Sequence, residues 1–137
     1  TCALPILLDQ PYFFVPGNHD NRTNLRAAFS DIRFLSKCEE FIQYTVDEFP
    51  VRLIALDTVS PGDHFGLLCE QRLEWLDKTL AAQTKKPTVL FMHHPPFDLH
   101  LSSIDRIGFT EKELFTDIIK NSNSSIRHIF LAMLIGP

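Results

Sequence analysis

Thr88-Val89-Leu90-Phe91-Met92-His93-His94-Pro95-Pro96 is the stretch that decides the fold of this chain. A run of apolar and β-branched residues ends abruptly at paired imidazoles and paired prolines. A half-buried strand alternates polar and apolar side chains. A run without alternation has both faces covered, as in a sheet lying between helices. Each proline lacks an N–H and restricts the residue before it, so the strand stops there. Upstream, Cys69, Leu73, Leu76 and Leu80 recur at helical spacing and predict an amphipathic helix leading into the strand. Downstream, Thr110-Glu111-Lys112-Glu113 has the capping-box form ahead of Leu114, Phe115, Ile118 and Ile119, which predicts a second helix. Arg127–Leu131 then reads as a closing strand.

The first half follows the same grammar. Tyr12–Val15 reads as a buried strand ended by Pro16-Gly17. Leu25, Ala28, Phe29 and Ile32 predict a helix capped by Asn21 or Thr23. Phe41–Val46 and Val51–Leu56 read as strands of a hairpin turning through Asp47-Glu48-Phe49-Pro50. Strands alternating with helices predict an α/β layered domain.

Composition narrows the function. The 137 residues give room for one domain, and 13 basic against 17 acidic residues leave a net charge of -4. No basic stripe suited to nucleic acid is present. Apolar runs such as Ala3–Leu8 fall far short of the roughly 20 residues needed to span a membrane. Cys2, Cys38 and Cys69 are odd in number and widely spaced. They read as core or inert thiols of a reducing, cytoplasmic compartment, with no signal peptide ahead of them. The opening Thr1-Cys2-Ala3-Leu4 and the apolar close, 126–137, suggest that both ends are cuts through a larger domain.

Ligands of layered α/β sheets gather beyond the carboxyl ends of strands. Two polar clusters stand there by sequence: Gly17-Asn18-His19-Asp20 after Tyr12–Val15, and His93-His94 after Val89–Met92. The Asn18 amide oxygen is a hard, neutral donor suited to a divalent cation. His19 exchanges a proton near neutral pH, and Asp20 is placed to fix its tautomer. A plain polar turn is the alternative for this loop. His93 either ligates a metal from the rigid strand end or caps that end by hydrogen bonding. His100 is a candidate to face a substrate, His64 reads as a surface residue in a turn, and His128 as structural. Trp75 and the Phe residues read as core.

Together these clusters resemble the calcineurin-like metallophosphoesterase superfamily, whose motifs include G-N-H-[DE] and a strand ending in His. Leu56-Asp57-Thr58 through Gly66-Leu67-Leu68, with Gln71, Leu73, Trp75 and Leu76, is similar to a further signature of that family. His93-His94-Pro95-Pro96 followed by Ile104-Asp105-Arg106-Ile107 resembles the class III cyclic-nucleotide phosphodiesterase branch and its glycerophosphodiesterase relatives. The resemblance implies a layered metallophosphoesterase-type β-sandwich flanked by helices, here a partial domain over 1–137. It implies a hydrolase that binds two divalent ions (manganese, iron or zinc) and cuts small phosphodiesters, cyclic nucleotides such as cAMP first among them.

Carried over residue by residue, the resemblance implies that Asn18 and His93 are metal ligands, that His19 is the catalytic group that meets the phosphate oxygen or protonates the leaving oxygen, and that Asp20 orients His19. Arg22 helps to hold either the loop or the substrate, and with His94, His100 and Asp105 it is a substrate-binding candidate. The family's D-x-H and G-D motifs would precede Thr1, and Ala132-Met133-Leu134-Ile135 stands where G-H-x-H is expected. With only Asn18 and His93 left to hold the ions, the chain alone is expected to bind metal weakly or not at all and to turn over negligibly. An exposed sheet edge then suggests a homo-oligomer. Glycerophosphodiester or other phosphoester hydrolysis is the alternative activity, and a degenerate interaction domain the alternative class. No nucleic acid and no membrane is expected as partner.

Overall fold

The structure, a computed structural model, describes residues 11–35, 40–82, 85–98, 100, 105, 108–122 and 125–131. Its elements run α1 (Arg22–Ala28), β1 (Tyr44–Val46), β2 (Arg52–Leu56), α2 (Glu70–Ala82), β3 (Pro87–Met92), α3 (Lys112–Asn121) and β4 (Ser125–Leu131). They form one four-stranded sheet in the order β1-β2-β3-β4. β1 pairs antiparallel with β2, whereas β2, β3 and β4 run parallel. The α/β layering read from the alternation of strands and helices is therefore present. No second sheet lies among the described residues, which also hold no helix long and apolar enough to cross a membrane.

The period-2 alternation of side chains divides the core. On one face Ile54, Leu56, Leu90 and Met92 pack with Leu73, Leu76 and Leu80 of α2 and with Phe115 of α3. Ala55, Leu53 and Phe91 point the other way, into an aromatic layer that includes Phe13, Phe14, Phe29 and Phe34. The unbroken apolar character of β3 follows, since both of its faces meet a packed layer. Each fully buried leucine contributes roughly 1.5–3 kcal/mol.

Three expectations change. Tyr12–Val15 lies outside every strand, because its backbone bonds to a side chain and not to a ladder: Phe14 N–H donates to Tyr44 Oη and its carbonyl accepts from the same hydroxyl. The Thr110–Glu113 capping box does not form. Glu111 is the N-cap and its carboxylate reaches sideways to the Leu68 N–H at 3.1 Å, tying α3 to the loop before α2. β1 starts only at Tyr44, while Ile42 N–H donates to Asp57 Oδ2. Asn21 is the cap of α1, accepting from Asn24 N–H at 3.1 Å. Residues 132–135 lie outside the described set.

The topology aligns strand ends. Leu56 is in register with Met92, and Met92 with Leu131, so the chain leaves β2, β3 and β4 at one common edge of the sheet. Residues 57–66 and 93–96 emerge there side by side.

Candidate active site

The Gly17–Asp20 loop sits over that edge. Asp20 N–H donates to Gly17 C=O at 3.0 Å, and Gly17 N–H donates to Asp20 Oδ2 at 2.8 Å. The Asp20 carboxylate thus closes its own turn, and its observed bond is to the backbone and not to His19. Asn18 and His93 meet: Nε2 of His93 donates to Oδ1 of Asn18 at 3.1 Å. Glycine at 17 makes this approach possible, since a β-carbon there would lie 3.1–3.4 Å from the His93 ring atoms. Both side chains are half-buried, while His19 is exposed beside them.

His64 joins the group. Its Nδ1 stands 3.5 Å from Asn18 Nδ2, and its ring centroid is 5.6 Å from that of His19. It is exposed, as its place in a turn predicts. The signal available was its place in the loop after β2, at the same carboxyl edge as His93.

His94 is not available to substrate. It is buried, its Nε2–H donates to the His64 carbonyl at 3.2 Å, and its Nδ1 accepts from Thr58 Oγ1 at 2.8 Å. A carbonyl only accepts, so the Nε2–H tautomer is fixed. Burial, aided by repulsion from His93, lowers its pKa to about 4, and the ring is neutral at pH 7.

Arg22 is committed in part to holding its loop. Its Nε and Nη2 grip Asp57 at 2.6 and 2.8 Å, and Nη2 also donates to the Val59 carbonyl. The substrate-binding expectation for His94 is therefore corrected, since both of its ring nitrogens are engaged inside the fold, whereas Arg22 spends Nε and Nη2 on holding its loop. His100 is exposed with φ of 57°, and the Asp105 carbonyl accepts from Gly108 N–H. Neighbouring residues 99 and 101–104 are outside the described set, so contact of this pair with substrate stays an expectation.

The donors at the site fit part of a metal centre. One amide oxygen and one imidazole nitrogen, both at the strand edge, are donor types that divalent metal ions accept. Among the described residues no group of three or more His, Cys, Asp or Glu side chains gathers around a common metal position. Two donors need further ligands to complete a coordination shell.

Two metal-type donors thus stand beside an exposed imidazole, on loops at the carboxyl edge of an α/β sheet. The sequence pattern of the calcineurin-like phosphoesterase family matches residues 2–130, and the chain belongs to that family. It is 37% identical over 99 residues to a probable glycerophosphodiester phosphodiesterase of Arcobacter nitrofigilis, covering 72% of this chain and 36% of that protein. Against a probable cyclic nucleotide phosphodiesterase of Rhodopseudomonas palustris the identity is 32% over 134 residues, 95% of this chain and 47% of the relative. A cAMP/cGMP dual specificity phosphodiesterase of Mycobacterium tuberculosis is 32% identical over 96 residues, 61% of this chain and 25% of the relative. The chain spans about half or less of the length of these curated relatives.

Proposed function

We propose that these residues form part of the catalytic centre of a metal-dependent phosphodiesterase that hydrolyses small phosphodiesters, cyclic nucleotides such as cAMP foremost. The observation that carries the reading is the 3.1 Å meeting of Asn18 Oδ1 with His93 Nε2 at the strand edge. Two side chains so distant in sequence, one from a loop and one from a strand end, converge with metal-type donor atoms.

In this reading Asn18 and His93 hold one of two divalent ions. When bound, such ions lower the pKa of a water and neutralise charge developing on the phosphate. His19, exposed next to that pair, delivers a proton to the departing alkoxide, a contribution of about 10²–10⁴ in rate. Asp20 holds the loop that presents His19, through its bond to Gly17 N–H. His100 and Asp105 remain candidates for the substrate side of the pocket. A cytoplasmic setting follows from the odd, scattered cysteines, and self-association from a sheet in which β1 and β4 are the edges among the described residues. The ends of the domain within 1–137 belong to the same proposal.

A second reading has its own support. The relative from Arcobacter nitrofigilis is named for glycerophosphodiester hydrolysis. The protein expressed from its complete reading frame, loaded with Mn²⁺ and assayed against cAMP and glycerophosphocholine, separates the two. Turnover of cAMP at ten or more times the kcat/KM for glycerophosphocholine is the expected result, and the inverse ratio moves the assignment to the second reading. In that protein His19→Ala lowers kcat by about 10²–10⁴ with metal content retained, whereas Asn18→Ala loses one ion. Equal metal loss in both variants overturns the division of roles.

A further inference from the structure

We infer that Asp57 and Thr58, the two residues immediately beyond the end of β2, are positioning residues that set the separation of Asn18 from His93; the inference rests on the hydrolytic reading of that pair. Consecutive residues of an extended chain project to opposite faces, so two neighbours reach two different loops. Asp57 takes the loop of Asn18 and Thr58 takes the strand end of His93.

Asp57 is fully buried and saturated. Its Oδ2 accepts from Arg22 Nε at 2.6 Å and Ile42 N–H at 2.8 Å, and its Oδ1 accepts from Arg22 Nη2 at 2.8 Å and Val59 N–H at 3.0 Å. Arg22 opens α1, the helix into which the Gly17–Asp20 loop runs. A fork-to-fork pair fixes orientation as well as distance, so the loop is held at one angle to β2. Arg72 of α2 backs the anchor by donating to the carbonyls of Asp57 and Val59 at 2.9 and 3.1 Å. The Phe41 ring lies beneath both guanidiniums, 5.2 Å from that of Arg22 and 4.5 Å from that of Arg72.

Thr58 is fully buried too. Its hydroxyl donates to His94 Nδ1 at 2.8 Å and accepts from the His94 backbone N–H at 3.4 Å. Ring and backbone of the residue after His93 are both tied to it. Two arginines around one carboxylate form an expensive arrangement for stability alone, which apolar packing supplies as well or better. What the charges provide and apolar residues do not is a fixed direction.

The test uses Thr58→Val, Thr58→Ser and Arg22→Lys in the protein expressed from its complete reading frame, with ¹⁵N-labelled histidine and asparagine. One readout is the NMR cross-peak linking the His93 ring to the Asn18 side-chain amide. The other is the Mn²⁺ concentration that half-broadens the His93 ring signal. Thr58→Val is expected to cut the cross-peak at least threefold and to raise the Mn²⁺ midpoint about tenfold, the low end for losing a residue that orients a metal ligand. Thr58→Ser restores both. Arg22→Lys, which keeps the charge and loses the fork, lowers the cross-peak and raises the midpoint as well. A merely structural role lowers the melting temperature and leaves cross-peak and midpoint unchanged, and that result overturns the inference. If Thr58→Val does not fold, Arg22→Lys decides by the same two readouts. Absence of Mn²⁺ broadening in the unsubstituted protein of the complete reading frame counts against the hydrolytic reading instead, while the cross-peak still decides the positioning.

Discussion

Gly66→Ala is the sharpest perturbation of the framework beneath the site. A β-carbon at 66 would lie 2.7 Å from Cγ and Nδ1 of His94 and 2.8 Å from its Cβ. Real β-carbons do not approach that closely, so one partner moves. Gly66 has little freedom: its N–H donates to the Gly108 carbonyl at 3.0 Å and its own carbonyl accepts from Thr110 N–H at 3.3 Å. His94 is pinned by Thr58 on one side and the His64 carbonyl on the other. Overpacking of this kind costs about 1–3 kcal/mol, and displacing the ring forfeits two buried hydrogen bonds at about 1 kcal/mol each. The expected loss is about 3–5 kcal/mol, a fall in Tm of roughly 8–20 °C for a domain of this size. Gly17→Ala is the contrast, because its contacts with the half-buried His93 ring begin at 3.1 Å and a ring with an open side yields. Its expected cost is under about 1.5 kcal/mol. Circular dichroism melts of both variants decide it. A Gly66→Ala variant that melts within 2 °C or so of the parent refutes the claim that the His94 pocket is rigid.

Asp57→Ala leaves the Arg22 and Arg72 guanidiniums, whose side chains are 14% and 2% exposed, without their shared carboxylate. The expected loss is about 3–5 kcal/mol, read as a shift of the urea midpoint; a loss below about 1 kcal/mol would show the cluster to be slack. His94, with its pKa lowered from 6.5 to about 4, stays neutral in the folded state while the unfolded chain takes up a proton. Its contribution therefore falls as pH drops from 6.5 toward 4 and levels off below that window, with stability rising with pH across it. Melts from pH 6.5 to 5 are expected to show a shallower slope in His94→Gln than in the parent. Leu76→Ala, at a fully buried position of α2, loses about 2–5 kcal/mol. Leu114→Ala, 58% exposed on α3, changes stability by less than about 0.5 kcal/mol in the same urea titration.

Much of the fold is legible in the chain because its signals are local. The step of Leu73, Leu76 and Leu80 is a helix face whatever it packs on, and all three are buried in α2. The unbroken run into Met92 names a covered strand, and β3 is central in the sheet. The misreadings share a cause of the opposite kind. Tyr12–Val15 has the composition of a strand, but a strand exists only through a neighbour, and here the Tyr44 hydroxyl takes the backbone bonds of Phe14. Thr110–Glu113 has the letters of a capping box, yet the Glu111 carboxylate finds the Leu68 N–H, a partner 43 residues away.

By itself the sequence determined which residue types stand after which strands, and so put Asn18, His19 and His93 forward: ligand chemistry belongs to side chains and survives without coordinates. Only the tertiary structure decided where each polar group is spent. His94 carries the same functional group as any substrate-binding imidazole, but Thr58 and the His64 carbonyl occupy both of its ring nitrogens, while Asp57 takes Nε and Nη2 of Arg22 to hold its loop. Conversely, His64 reaches the site because its loop leaves the same sheet edge as His93. A hydrogen bond depends on distance and direction between atoms far apart in the chain, and neither is written in local composition.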